Sequence, residues 1–151
     1  MLMLKYDFEE SVGFWLATAH QAYMRSFQQQ LGPQGLTFRQ AQVLGWLVAR
    51  GPLSQRELAE QMLIEPSNLV GVLDRMEQAG LVERRPCDFD ARKKLVHILP
   101  GAEDEWRKIA ECGRRVRKQA TAGLSKADQT HLKKLLERVR LNLGALDPVE
   151  A

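Results

Sequence analysis

Five cations and three acids crowd one short stretch, LVERRPCDFDARKKLVHIL (residues 81–99). Arg84, Arg85, Arg92, Lys93 and Lys94 surround Asp88 and Asp90, and the stretch begins and ends in apolar, partly β-branched runs. Two strand-like runs with a charged middle read as a hairpin with a basic tip. The chemistry open to such a tip is charge neutralisation and hydrogen bonding to a polyanion. Beside a suitable helix it can lie along a sugar–phosphate backbone, with Arg inserted in the narrow, electronegative minor groove. Asp90-Ala91-Arg92 makes sense as a unit, because a carboxylate two residues before Arg92 can hold the loop, or the guanidinium, in one geometry. A plain surface hairpin with solvated charges is the bland alternative, and the residues that precede it weigh against that.

Those residues supply a second polar set. Glu65-Pro66 opens a helix with proline at the first position, where its missing N–H costs nothing. Its stripe is Leu69, Val72, Leu73 and Met76, with Gly80 as the natural stop. The opposite face offers Ser67, Asn68, Val70, Gly71, Asp74 and Arg75. A helix fits the major groove of DNA, and its early exposed positions reach base edges. Ser67 and Asn68 are short hydrogen-bonding groups at an end where the dipole also favours phosphate, and Asn suits an adenine edge.

The remaining elements must hold these two surfaces together. Apolar residues at Val12, Trp15, Leu16, Ala19, Tyr23 and Phe27 mark a first amphipathic helix, from about Phe8 to Leu31-Gly32-Pro33. Thr37 caps a second, with Ala41, Leu44, Leu47 and Val48, which Gly51-Pro52 ends. Ser54-Gln55-Arg56-Glu57 is a capping box opening a short third helix that finishes around Met62. After the hairpin, a long helix from about Gly101 carries Trp106, Ile109, Gly113, Val116 and Ala120. Gly123 interrupts it, and Ser125 caps a last helix striped by Leu132, Leu135, Leu136, Val139 and Leu143. Two short helices joined by a tight turn and followed by a basic hairpin make a winged helix-turn-helix. The fold class expected is mainly α with a small β-wing. Its parts are an N-terminal helical segment (1–35), the winged module (36–100) and C-terminal helices (101–151), in one structural domain.

Composition excludes several classes. The 151 residues, 44% hydrophobic and 27% charged, suit a globular chain, and a net charge of +3 is mild enough that position must carry any nucleic-acid reading. No apolar run approaches the roughly 20 residues that cross a bilayer. Two cysteines and no signal peptide lead us to expect a reducing cytoplasm. There is no phosphate-cradling glycine loop, nucleophile elbow or metal-ligand cluster, and His20, His97 and His131 are scattered. No enzyme, metal site or cofactor is expected.

EPSNLVGVLDRMEQAGLVERRPCDFDARKKLVHIL resembles the recognition helix and wing of the MarR family of bacterial transcription regulators, nearest to its SlyA-like members. LSQRELAEQM resembles the first short helix, VLDRMEQAGLVER the helix-to-strand passage, and Asp90-Ala91-Arg92 the wing's Asp-x-Arg. The likeness runs through nearly the whole chain. It implies a homodimer whose terminal helices interleave, with one winged module per subunit on a pseudopalindromic duplex DNA site. It also implies repression relieved by a small aromatic or phenolic compound bound between the two regions. The DNA-contacting set expected on this basis is Ser54, Gln55, Pro66, Ser67, Asn68, Val70, Gly71, Arg75, Arg85, Asp90, Arg92, Lys93 and Lys94. Trp15, His20, Tyr23, Phe38 and Trp46 are the expected effector-pocket walls, apolar bodies with a few polar handles. Two departures stand out: Gly71 replaces an Arg or polar residue, and Leu99-Pro100-Gly101-Ala102 replaces the family's Leu-Thr-x-x-Gly.

Self-pairing also follows from the residues alone. The first helix carries Phe8, Trp15 and Tyr23, the last a nearly pure leucine stripe, and the winged module is too small to cover both. Two other readings stay open. Cys87 lies beside Arg84 and Arg85, and positive neighbours favour the reactive thiolate, so a redox-responsive regulator is one. A winged module that binds protein rather than DNA is the other.

Overall fold

Local sequence sets where the helices start. In the computed structural model, which describes residues 4–144, the side chains of Thr37, Ser54 and Ser125 each accept from the amide three residues on. Gln40, Glu57 and Asp128 accept in turn from the amides of those capping residues. Three capping boxes therefore open α2 (Phe38–Arg50), α3 (Gln55–Met62) and α6 (Lys126–Asn142). Ser11 caps α1 (Val12–Leu31), after a single tight turn at Phe8–Glu10. Pro66 stands at the first position of α4 (Pro66–Gln78).

The hairpin forms β2 (Val82–Pro86) and β3 (Lys94–Ile98), antiparallel with Arg84 opposite Val96. A third strand was not expected. β1 (Leu53–Ser54), just before α3, pairs with β3 through Leu53–Val96 and Ser54–Leu95. The sheet order is β1-β3-β2, so the strand carrying Lys94 is central and the wing is anchored to the start of α3.

One core holds this unit. Leu44, Leu58, Leu69, Leu73 and Met76 are fully buried, and Val82 and Val96 close the sheet side. Burying side chains of this size is the main favourable contribution to folding. The departure at 99–102 has a steric reason. Pro100–Ala102 forms a 3₁₀ turn running directly into α5 (Glu103–Ala120), and a Cβ on Gly101 would stand 2.7 Å from the Gly80 carbonyl oxygen. Only glycine permits that approach. Glu103, Asp104 and Glu105 then complement the helix dipole.

The described residues fall into two compact units divided between Val116 and Arg117, inside α5. The reason is burial: Ala102, Ile109 and Cys112 join the core of the winged unit, so the first part of α5 belongs to it. In the second unit Gly123, in the left-handed region, turns the chain before the Ser125 cap. No residue of α6 is buried, and Leu132, Leu135 and Leu136 are exposed. Among the described residues, no helix is long and apolar enough to cross a membrane.

Candidate nucleic-acid interface

The apolar stripe of α4 is buried as its spacing requires, which turns Pro66, Ser67, Asn68, Val70, Gly71 and Arg75 outward. Gly71 is not a blank on that face. The Nη1 of Arg75 lies 3.6 Å from where a Cβ on Gly71 would stand, so the guanidinium folds back over the glycine. Long helical side chains lean toward the N-terminus in this way. The missing side chain at 71 leaves room for the Arg75 guanidinium on the same face.

The wing tip is braced. Cys87 N–H donates to the Lys93 carbonyl at 2.7 Å, and Lys93 N–H to the Asp90 carbonyl at 3.0 Å. The Asp90 carboxylate accepts from the Arg92 backbone N–H at 3.0 Å. Of the two arrangements open from sequence, Asp90 thus holds the loop and not the guanidinium, in the manner of an Asx turn. Arg92 and Lys94 are exposed and form no ion pair within the described residues.

The other cations of the stretch are engaged. Arg84 sits two residues after buried Val82 on the same strand face, which points it at α4. Its Nη2 donates to Glu77 Oε2 at 2.8 Å and also to Asp74, its Nε donates to Glu77, and its backbone N–H donates to Glu77 Oε1 at 2.9 Å. The guanidinium's hydrogen bonds hold the Glu77 carboxyl below its ordinary range. Arg84 is therefore a strut between α4 and the wing. Arg85 is paired with Glu83 at 2.7 Å, and Lys93 with Glu57 at 3.1 Å.

Three of the expected residues have partners inside the protein. Arg85 and Lys93 reach any partner only by sharing or leaving a carboxylate. Ser54 is buried, its hydroxyl and amide both committed to the α3 cap, so it supports the surface from beneath. Gln55 is half-buried beside it. Glu57 was missed as a site residue. It closes the cap through Ser54 N–H at 2.7 Å and binds Lys93 with its other oxygen; the Ser54 amide first, then Lys93, holds its carboxyl low. Between α3 and the wing lies a concavity of about 730 Å³, lined by the cations Arg56, Arg92, Lys93 and Lys94 and the carboxylates Glu57 and Glu60.

The expected effector residues are placed as follows. Trp15, His20 and Tyr23 are exposed on α1, with Trp15 Nε1–H donating to the Glu9 carbonyl at 2.9 Å. Phe38 and Trp46 are half-buried on α2, Phe38 edge-on to Phe27 and Trp46 beneath the Arg50 guanidinium. The concavity above and a second of about 380 Å³ lined by Gln55, Glu77, Arg84, Lys94 and Val96 both lie at the wing, and neither includes any of the five. Cys87 is half-buried and Cys112 buried, both as free thiols.

A helix-turn-helix with an outward polar face, buttressed against a basic hairpin, defines a winged helix-turn-helix transcription regulator. A profile of the MarR family matches residues 34–93. The chain is 31% identical to the HTH-type transcriptional regulator FarR of Neisseria gonorrhoeae over 101 residues, 67% of this chain and 69% of that one. It is 28% identical to the HTH-type transcriptional repressor NicR of Pseudomonas putida over 134 residues, 89% of this chain and 85% of the relative. Among solved structures, Bordetella bronchiseptica BpsR, whose DNA binding is regulated by 6-hydroxynicotinic acid, superposes with a TM-score of 0.73. That likeness has 26% identity over 90% of this chain and 97% of BpsR. The chain belongs to the MarR family.

Proposed function

We propose that this regulator acts as a homodimeric cytoplasmic repressor that occupies a pseudopalindromic duplex and leaves it when a small aromatic compound binds. The observation that carries the reading is the outward face of α4 set beside a braced wing whose Arg92 and Lys94 are unpaired. Asn68, Ser67 and Arg75 read the major groove, Pro66, Val70 and Gly71 give that face its close approach, and Arg92 enters the minor groove. Each unit also leaves an apolar face uncovered. Phe8, Val12, Trp15 and Tyr23 are exposed on the first, and Leu132, Leu135 and Leu136 on the second, which supports two-fold self-association. Repression and an aromatic effector are supported by what NicR and BpsR are named for. Trp15, His20, Tyr23, Phe38 and Trp46 are the side chains we assign to that effector.

The test selects duplex fragments from a random pool with the full-length protein and measures affinity against salt. Log affinity should fall linearly with log salt, by about 0.9 per neutralised phosphate. The selected sites should be two-fold symmetric, and benzoate-like or hydroxynicotinate-like compounds should weaken binding. Indifference to duplex DNA at low salt would leave a protein-binding winged module as the better account.

A further inference from the structure

The tip of the wing carries a ring that nothing among the described residues covers. Phe89 is 99% exposed, more than any other large apolar side chain among the described residues. The loop that presents it is not slack: the Cys87–Lys93, Lys93–Asp90 and Arg92–Asp90 hydrogen bonds hold the turn on its C-terminal side. Its setting differs from that of the other exposed aromatics. Tyr6, Phe8 and Trp15 are linked edge-on or tilted through one another and half-buried Phe14, with successive centroids 4.8–5.5 Å apart, and form a patch suited to another protein surface. Phe89 stands alone, between Asp88 and Asp90 and three residues from Arg92.

A lone ring among charges, held out on the element assigned to the minor groove, fits a surface that is apolar in its walls and anionic at its rims. The minor groove has that character, and apolar wedges such as Phe are used there to open base steps. We propose that Phe89 is a DNA-contacting residue that packs its ring on deoxyribose and the edge of a base step beside the entry point of Arg92. Asp90 does not bar this, because its carboxylate is turned back onto the Arg92 amide. Burial of the ring adds affinity without adding charge. It also adds specificity: pyrimidine–purine steps unstack most easily, so a TA or CA step under the wing favours binding.

The inference rests on the DNA-binding reading, and the experiment separates the two. If the full-length wild-type protein fails to bind its own selected duplex, the DNA reading falls and this assignment falls with it. Given binding, Phe89→Ala should melt as wild type and lose about three- to tenfold in affinity with an unchanged salt slope. Phe89→Leu should recover most of the loss. A 2-aminopurine at the wing step should brighten with wild type and stay quenched with Phe89→Ala, and the preference for TA over an A-tract there should vanish. Equal affinity and equal 2-aminopurine signal for Phe89→Ala would overturn the assignment. So would an altered sedimentation of the DNA-free variant with unaltered DNA binding, which would give the ring to a protein contact.

Discussion

Replacing Asp90 separates geometry from charge at the wing. Asp90→Ala removes the acceptor that meets the Arg92 amide at 3.0 Å and deletes one negative charge from the wing tip. The charge effect is small. An exposed carboxylate about 7 Å from a phosphate is repelled by about 0.6 kcal/mol in water, and less once salt screens it. A net intramolecular hydrogen bond contributes about 0.5–1.5 kcal/mol, or about 2- to 13-fold in affinity for each wing that depends on it. In the proposed dimer, two wings would make that about 5- to 150-fold. Geometry therefore outweighs charge, and Asp90→Ala should bind more weakly at 0.15 M salt. Asp90→Asn keeps an acceptor oxygen and loses the charge, so it should bind as well as wild type or slightly better. Anisotropy titrations of the selected duplex should rank Asn at or above wild type, and wild type above Ala. In an Arg92→Ala background, Asp90→Ala should cost little further, since both act through one contact. Tighter binding by Asp90→Ala, or equal binding by the Ala and Asn variants, would refute the reasoning and leave the wing a diffuse basic patch.

Lys94→Ala should weaken DNA binding and flatten its salt dependence by about one phosphate, whereas Lys93→Ala should do less, because Glu57 already neutralises Lys93 at 3.1 Å. Paired salt titrations check the order. Glu57 and Glu77 have folded pKa values below the ordinary 4.5, so their contribution to stability is present above that value and is lost as pH falls through the folded values. Glu77→Gln should accordingly lower Tm at neutral pH and converge on wild type as acid protonates the Glu77 carboxyl; a gap of equal size at neutral and acid pH would show that the ionised form is not the source. Leu63 holds α3's end in the left-handed region at φ 54° while 91% exposed. Leu63→Gly relieves backbone strain of about 1–2 kcal/mol against a glycine entropy cost of about 0.5–1, so Tm should rise slightly.

What could be read beforehand was what short-range physics controls. Thr37, Ser54 and Ser125 each announce a helix because the group that satisfies the cap lies three residues on. The buried stripe of α4 follows from its three-four spacing, and the β2–β3 hairpin from two apolar, partly β-branched runs around a charged middle. β1 escaped notice because two residues cannot display an alternation; its partner lies more than forty residues on, at Leu95 and Val96. Leu63 gives no sign either, since a leucine does not advertise a left-handed backbone as glycine does. Which of the five cations are tied to carboxylates was hidden for a similar reason. Glu57 and Lys93 are 36 residues apart, and Asp74 and Arg84 ten. Strand alternation from Val82 held the one usable clue, that Arg84 faces inward.

That sorting of cations bears on how the surface works. Asp90, Glu57 and Glu77 place three carboxylates on or under a surface meant for a polyanion, which is costly unless each is occupied. Each is: Asp90 by the Arg92 amide, Glu57 by the Ser54 amide and Lys93, Glu77 by Arg84. Two of the three join separate elements, Glu57 tying α3 to the wing and Glu77 tying α4 to β2. A surface fixed before its partner arrives loses less conformational freedom on binding. Neutralised carboxylates therefore set the relative position of helix and wing, while Arg75, Arg92 and Lys94 stay exposed and are the cations we propose for DNA. On this account an Arg84→Lys change should reduce operator specificity more than general affinity for duplex. The positive charge is kept, but the multidentate grip that aligns helix with wing is lost.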